Sequence, residues 1–454
     1  MKKSVFGKNI DMTVGVVWKQ LLLFALPLIA GDFLQQLYST TDSIIVGQFV
    51  GKTALAAVTS TETLINCIIG MFSGISAGAT VVIARFFGAK DDANISKAVH
   101  TVAAITIAMG ILMTAVGVGL SPALLRLLKT PEDVYPEAKQ YLRIYFSGMM
   151  GLVFYNMGSG ILRAIGDSVR PLIALAITSV INIVLDLVLV GVFHMGVAGA
   201  AWATILAIYA SAFYLVFLLC RTRDSHRLDF RKLSYDRKIA GTVFGIGVPM
   251  GLQKSIVAFS NLMVIAHINL FGSGASAGWG VFRKVDTLVM NIISNLGQAL
   301  STFISQNLGA KKEDRARAGF RFTFFFTFAV AAGLDLLLIL LRVPIIRLFN
   351  SDADVLRYGS LIFLSMLPFQ PFNALSAVLA GKFRGYGDSK ASTIMHISCM
   401  VVLRQIYLNV GWTITQEFLF VCSCYPFAWM LNLLLHSLYN RFLFPKKIGK
   451  TAQG

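Results

Sequence analysis

The chain has 454 residues, of which 56% are hydrophobic and only 14% charged, and its mean hydropathy is +0.71. A soluble domain carries roughly 25% charged residues, so this composition excludes a water-solvated globule and calls for a lipid solvent. The net charge of +18 does not make nucleic acid an expected partner, because the basic residues fall in short loops between apolar runs.

A helix needs roughly 20 apolar residues to cross a bilayer. In chain order, twelve segments qualify: 15–43, 53–82, 98–120, 137–161, 169–193, 197–220, 239–270, 275–306, 319–341, 358–380, 392–411 and 415–440. The first is too long for a cleaved signal peptide, lacks a small-residue cleavage site and is followed by further spans. Lys and Arg gather in alternate loops. These are the N-terminus (Lys2, Lys3, Lys8), the loops at 83–97, 162–170, 221–238, 307–321 and 381–391, and the tail. The intervening loops are poorer, with Lys52 in one, Arg126 and Lys129 in another, Arg342, Arg347 and Arg357 in a third, and none at 194–196, 271–274 or 412–414. The location expected is the cytoplasmic (inner) membrane of a prokaryote, as a multi-pass protein, and the positive-inside rule then predicts that both termini are cytoplasmic. An even number of spans agrees with that.

The chain is also written twice. Gly88-Ala-Lys90 returns as Gly309-Ala-Lys311, Asp133-Val134 as Asp354-Val355, and Arg163-Ala-Ile-Gly166-Asp167-Ser168 as Arg384-Gly-Tyr-Gly387-Asp388-Ser389. All are 221 residues apart. An apolar half repeated at one offset is a transporter signature, with the substrate expected where the repeats meet. Six spans per half place both halves in the same direction, related by an axis along the membrane normal. The expected division is 1–220 and 238–440, joined by a basic linker at 221–237 and followed by a tail at 441–454.

Within the spans, buried polar groups carry the information. An Asp at a helix centre costs about 2.5–3.5 kcal/mol on insertion scales, so it should face a partner or a wet cavity. The first segment carries Asp32, Gln35, Gln36, Ser39 and Asp42 along one stripe. The fifth carries Asn182 and Asp186, one turn apart among Ile, Val and Leu. An amide beside a carboxylate can hold a proton or ligate a hard cation through oxygen. A solvated Asp42 at the outer helix end and an Asn182 packing bond are the plainer alternatives. The sixth segment opens with small residues that permit close helix approach, and Thr204 adds a hydroxyl. Further candidates for a substrate cavity are Glu62 and Asn66, then Gln253, with Lys254 and Asn261 nearby, and the stripe Thr287, Asn291, Asn295, Gln298 and Thr302. Asp286 is expected to pair with Arg283 or Lys284, and Asp335 has no evident partner. Pro27 and Pro249 sit in the first span of each half, where a proline can bend a helix and free a carbonyl.

Several motifs are set aside. Gly47 to Thr53 imitates a phosphate-binding loop but has Val46 where the motif needs glycine, and no strand precedes it. Without an ATPase motif, any pumping is expected to run on an ion gradient. Cys422 and Cys424 are two apart and point to different helix faces, so neither a disulfide nor a zinc site is expected. No His, Cys or Ser stands in an arrangement that suggests catalysis, so an enzyme is not expected.

The residues resemble the MATE (multidrug and toxic compound extrusion) family over nearly the whole chain. The resemblance rests on Pro27, Asp42-Ser-Ile-Ile-Val-Gly47, Gly88-Ala-Lys90, Arg163-Ala-Ile-Gly-Asp167, Asn182-x-x-x-Asp186 and Gly196-Val-x-Gly-Ala-Ala201. It implies an all-α integral membrane protein whose twelve transmembrane helices form two six-helix lobes in a V around a central cavity. It implies export of amphiphilic organic cations or drugs in exchange for H⁺ or Na⁺ by alternating access, with no other cofactor and no metal beyond a transient Na⁺. The coupling residues it implies are Asp42, Asn182, Asp186 and Thr204. Members with a carboxylate in the seventh helix differ from this chain, which has Val257 and Phe259 there. The expected partners are small organic molecules and membrane lipid, and a monomer is expected. A lipid-linked oligosaccharide or lipid flippase of the same superfamily is the alternative, and it should show several Arg residues in its cavity. A channel or a scaffold protein is a third reading.

Overall fold

The computed structural model describes residues 10–127, 131–132 and 134–451; the side chains at 52–53, 55–56, 59–60, 62–64, 66–67, 127 and 448–451 fall outside the description. Lys2, Lys3, Lys8 and Lys129 of the charge pattern and Asp133 of the repeat therefore lie outside the described residues, as do the side chains of Lys52, Glu62, Asn66, Cys67 and Lys450.

Every described element is helical. In order they are α1 (Val17–Phe49), α2 (Lys52–Gly88), α3 (Asp92–Leu127), α4 (Tyr135–Ser147), α5 (Met149–Ala164), α6 (Val169–Asp186), α7 (Gly196–Arg221), α8 (Arg237–Asn269), α9 (Ser273–Gly309), α10 (Glu313–Leu340), α11 (Arg342–Phe349), α12 (Ala353–Met366), α13 (Gln370–Gly385), α14 (Ser389–Ile397), α15 (Arg404–Trp412), α16 (Phe418–Leu438) and α17 (Phe444–Thr451). Leu187–Val192 continues α6 as a π-turn, and Ser398–Leu403 joins α14 to α15 in the same way. Among the described residues, eleven helical stretches are long and apolar enough to cross a membrane. The twelfth expected span, 137–161, is covered by two shorter helices that break at Gly148, where an added methyl would meet Ile205 side-chain atoms 2.6–2.9 Å away. α1 and α8 run unbroken through Pro27 and Pro249. Large apolar side chains such as Phe213, Phe325 and Leu340 are exposed at 73%, 70% and 68%, a surface suited to lipid rather than water.

The chain forms two compact units. One comprises Met1–Gly15, Leu22–Val248 and Ser305–Lys311; the other comprises Val16–Leu21, Pro249–Ile304 and Lys312–Gly454. The core of the first gathers Ile45, Val46, Phe72, Leu142, Phe146 and Ala200, and that of the second gathers Trp279, Phe282, Phe363, Tyr425 and Trp429. Lipid tails are as apolar as Leu, so helix packing here relies on close approach and interhelical hydrogen bonds. The α6–α7 pair shows both. Thr178 and Ser211 hydroxyls lie 2.6 Å apart, and a methyl on Gly199 would sit 3.2 Å from the Leu189 carbonyl.

The duplication is visible in the backbone. Gly166 and Gly387 have φ of 87° and 88°, and Lys90 and Lys311 have φ of 56° and 58°. The turns carry matched hydrogen bonds: Asp167 N–H to Leu162 O at 2.9 Å, and Asp388 N–H to Phe383 O at 2.8 Å. The aspartates then diverge. Asp167 accepts from the Val169 and Arg170 amides, both at 3.0 Å, and caps α6. Asp388 instead accepts from Tyr439 and from Lys447 Nζ at 2.7 Å, which ties down α17.

Within the first unit the ends of α2 and α9 interlock. A methyl on Gly88 would stand 1.8 Å from the Gln306 carbonyl oxygen, and one on Gly309 would stand 1.9 Å from that of Arg85. Gln306 lies 221 residues after Arg85, as Gly309 does after Gly88, so the contact has twofold pseudo-symmetry. The Gln306 side chain is fully buried, accepts from the Met12 amide at 3.1 Å and donates to Ala164 O at 2.8 Å.

Candidate functional site

α6 places Thr178, Asn182 and Asp186 at intervals of four, so they stack on one face, and all three are buried at 4%, 1% and 0% exposure. α7 lies against that face through Gly199, Ala200, Ala201 and Ala203, whose small side chains leave room for polar groups between the helices. Asn182 Nδ2 faces Thr204 Oγ1 at 3.5 Å, a long contact, while Thr204 donates to the Ala200 carbonyl at 3.0 Å. The Asn182 Oδ1 atom and both Asp186 carboxyl oxygens are buried without a donor among the described residues.

Asp186 meets a second carboxyl. Asp42, half-buried on α1, lies close enough to act on it electrostatically. Two neighbouring carboxyl groups can share one proton, and a hard cation ligated by both would hold them together equally well. The four residues Asp42, Asn182, Asp186 and Thr204 thus converge in one place in the first unit. The π-turn Leu187–Val192 starts immediately after Asp186, and such turns gather at functional sites. Asp32, ten residues before Asp42 on α1, is elsewhere: it is half-buried and interacts with Tyr155 of α5. Gln36 is exposed.

The second unit contains a cavity of about 230 Å³. Gln253 lines this cavity and accepts from Thr393 at 3.2 Å. Asn261, on the same helix, also lines it. Asn291, Asn295 and Gln298 do not. The face of α9 that reaches the cavity is Arg283, Asp286 and Met290 instead. Asp286 is fully engaged, since Oδ2 pairs with Arg283 Nη1 and Oδ1 accepts from Gln370 Nε2, both at 2.9 Å. Asp335 is 2% exposed, neither oxygen has a donor among the described residues, and it interacts electrostatically with Asp286.

The sequence reading passed over Gln370, Asn373, Arg384, His396 and Asn432, all buried or half-buried in this unit. Arg384 appeared there only as part of a loop motif. Its position on the final turn of a spanning helix was the available signal, since a long side chain there can reach into the bundle.

The family model MatE matches residues 27–188 and 249–409 of the chain. The chain is 30% identical over 432 residues to the "Probable multidrug resistance protein YpnP" of Bacillus subtilis, covering 93% of this chain and 96% of that one. It is 28% identical over 444 residues to the "Probable multidrug resistance protein YoeA" of the same organism, covering 95% of each. Among solved structures, an outward-facing multidrug resistance MATE family transporter of the MOP superfamily superposes with a TM-score of 0.89 at 22% identity, over 99% of this chain and all of that one.

Proposed function

We propose that this chain, which belongs to the MATE family, exports amphiphilic organic cations in exchange for H⁺ or Na⁺, with coupling at Asp42, Asn182, Asp186 and Thr204. It is a multi-pass membrane protein related to multidrug efflux transporters. The observation that carries the coupling reading is the buried Asp186 carboxyl, which has no donor of its own and faces Asp42. Two carboxylates in a poorly hydrated site repel when both are ionised. A proton or Na⁺ entering from outside relieves that repulsion, with Asn182 and Thr204 supplying further oxygens. Coupling then requires only that the loaded site and the drug-bound cavity favour different states of the protein. Ion entry drives drug release outside, and ion release to the cytoplasm resets the cycle. The two sequence halves serve as the lobes that alternate.

The test uses purified protein in liposomes loaded with a cationic dye. Wild type exports dye under a pH gradient or a Na⁺ gradient, and whichever gradient works names the ion. Asp186→Asn inserts normally and does not respond to either. Dye efflux by Asp186→Asn at the wild-type rate under the working gradient would end the proposal.

Cytoplasmic placement of both Gly-Asp-Ser turns is part of the same reading. Ser168 and Ser389 are each 1% exposed, so reporter cysteines belong at Arg170 and Lys390, which reach solvent. In a background without native cysteines, both positions react with an impermeant thiol reagent in inside-out vesicles. Labelling in intact cells would reverse the topology.

A further inference from the structure

The 230 Å³ cavity of the second unit has a charge balance opposite to that of the Asp42–Asp186 site. Its one carboxylate, Asp286, is satisfied on both oxygens by Arg283 and Gln370. Arg384 also lines it, and no carboxylate or other hydrogen-bond acceptor engages its guanidinium among the described residues. Behind the cavity wall, Arg404 is 0% exposed and lies 4.7 Å from the centre of the Tyr425 ring, itself part of the lining. Arg404 donates to Ser260 at 2.7 Å, but among the described residues its Nε and Nη1 have no acceptor. Asp335 interacts with Asp286 but does not line the cavity.

A buried guanidinium without a counter-ion is costly, and a ligand that brings the missing anion removes the cost. The other walls define the rest of such a ligand. Tyr425 and Trp429 offer aromatic faces, Met290, Met366 and Met400 offer adaptable apolar contact, and the Asn373 amide is engaged only by the Met290 sulfur at 3.6 Å. The volume falls below the roughly 300–1,000 Å³ of drug-sized pockets, which suits a single ring.

We propose that this cavity binds a small aromatic carboxylate, its anionic group paired bidentately with Arg384 and its ring held against Trp429 and Tyr425. The site is separate from the acidic coupling site and does not depend on which ion drives transport. A transporter with both sites can take a zwitterion or an organic anion as well as a cation.

The experiment measures binding of radiolabelled salicylate to purified, detergent-solubilised full-length protein by scintillation proximity. Salicylate binds saturably, neutral salicylamide competes at least tenfold less well, and benzyltrimethylammonium does not compete. Arg384→Gln lowers salicylate affinity at least tenfold, and Arg384→Lys falls between it and wild type. Arg317→Gln removes a positive charge from an exposed side chain and leaves affinity unchanged. Ala377→Phe keeps every charge but fills the cavity, and it also abolishes binding. Thermal melts of each variant verify folding, and if Arg384→Gln melts early the Ala377→Phe result decides. Wild-type affinity in a folded Arg384→Gln or Ala377→Phe protein overturns the proposal. Stronger competition by the cation, or displacement by phosphatidylglycerol micelles in place of salicylate itself, also overturns it.

Discussion

The two halves of this chain share a backbone plan but bury different polar groups. At Asp42, Asn182, Asp186 and Thr204 the first half gathers two carboxyls, an amide and a hydroxyl. The residues 221 positions later are Met263, Leu403, Tyr407 and Tyr425. The acids have been replaced by apolar and aromatic side chains, and the helix that carries Tyr407 buries Arg404 instead. Tyr407 donates or accepts a bond with Ser423 at 2.9 Å and stacks between Phe420 and Phe427 at 4.9 and 4.5 Å. Duplication preserved what the backbone needs, the glycine turns and the helix spacing. It released the polar positions to diverge, because each buried charge needs a reason of its own in lipid.

If the halves are functionally unequal, the sharpest contrast comes from their acids. Asp186→Asn is expected to abolish the gradient dependence of dye efflux, since a neutral side chain cannot be loaded and unloaded by the ion. Asp42→Asn should match it, with surface expression intact. Efflux assays on the two variants separate a shared site from a single critical acid.

A smaller effect tests where the halves remain equal. Gly88→Ala and Gly309→Ala each drive a methyl into a carbonyl oxygen across the α2–α9 contact. Overpacking of this kind costs about 1–3 kcal/mol. The two variants should lower the melting temperature by similar amounts, as the pseudo-symmetry requires. A large shift in only one of them would show that one side of the contact yields.

The Gly-Asp-Ser turns give a milder contrast. Asp167→Ala removes a helix cap and should destabilise the first unit by about 1 kcal/mol. Asp388→Ala leaves α14 uncapped as before and releases Tyr439 and the α17 residue Lys447, both held by the Asp388 carboxylate. It should therefore raise tail cleavage in limited proteolysis with little change in melting. Least of all is expected from Tyr407→Phe, which keeps both ring stacks and gives up one hydrogen bond worth about 0.5–1.5 kcal/mol. Dye efflux by that variant should stay near wild type, whereas a loss comparable to Asp186→Asn would make the halves equivalent in coupling.

Much of the acidic site was legible before folding, because an Asn and an Asp four apart within an apolar run share a helix face whatever surrounds them. The meeting of Asp42 with Asp186 was not, since it depends on how α1 approaches α6. The stripe Asn291, Asn295 and Gln298 shows the same limit from the other side. Its periodicity identified a polar face, but the cavity opens onto the neighbouring face of α9 through Arg283, Asp286 and Met290. Arg384 belonged to a loop motif in the sequence and reaches a cavity in the structure, because a helix-end side chain is long enough to extend into the bundle.

By itself the sequence determined that this is a duplicated helical membrane protein, since hydrophobic run length, loop charge and a constant offset are local or additive quantities. It also determined which residues share a helix face. Only the tertiary structure decided which faces meet: that two carboxyls converge in one unit, that unpaired guanidiniums gather in the other, and that two glycines 221 residues apart pack into one contact. The physical reason is that helix periodicity fixes the direction of a side chain relative to its own axis. The packing of small residues and interhelical bonds fixes the rotation of that axis against its neighbours.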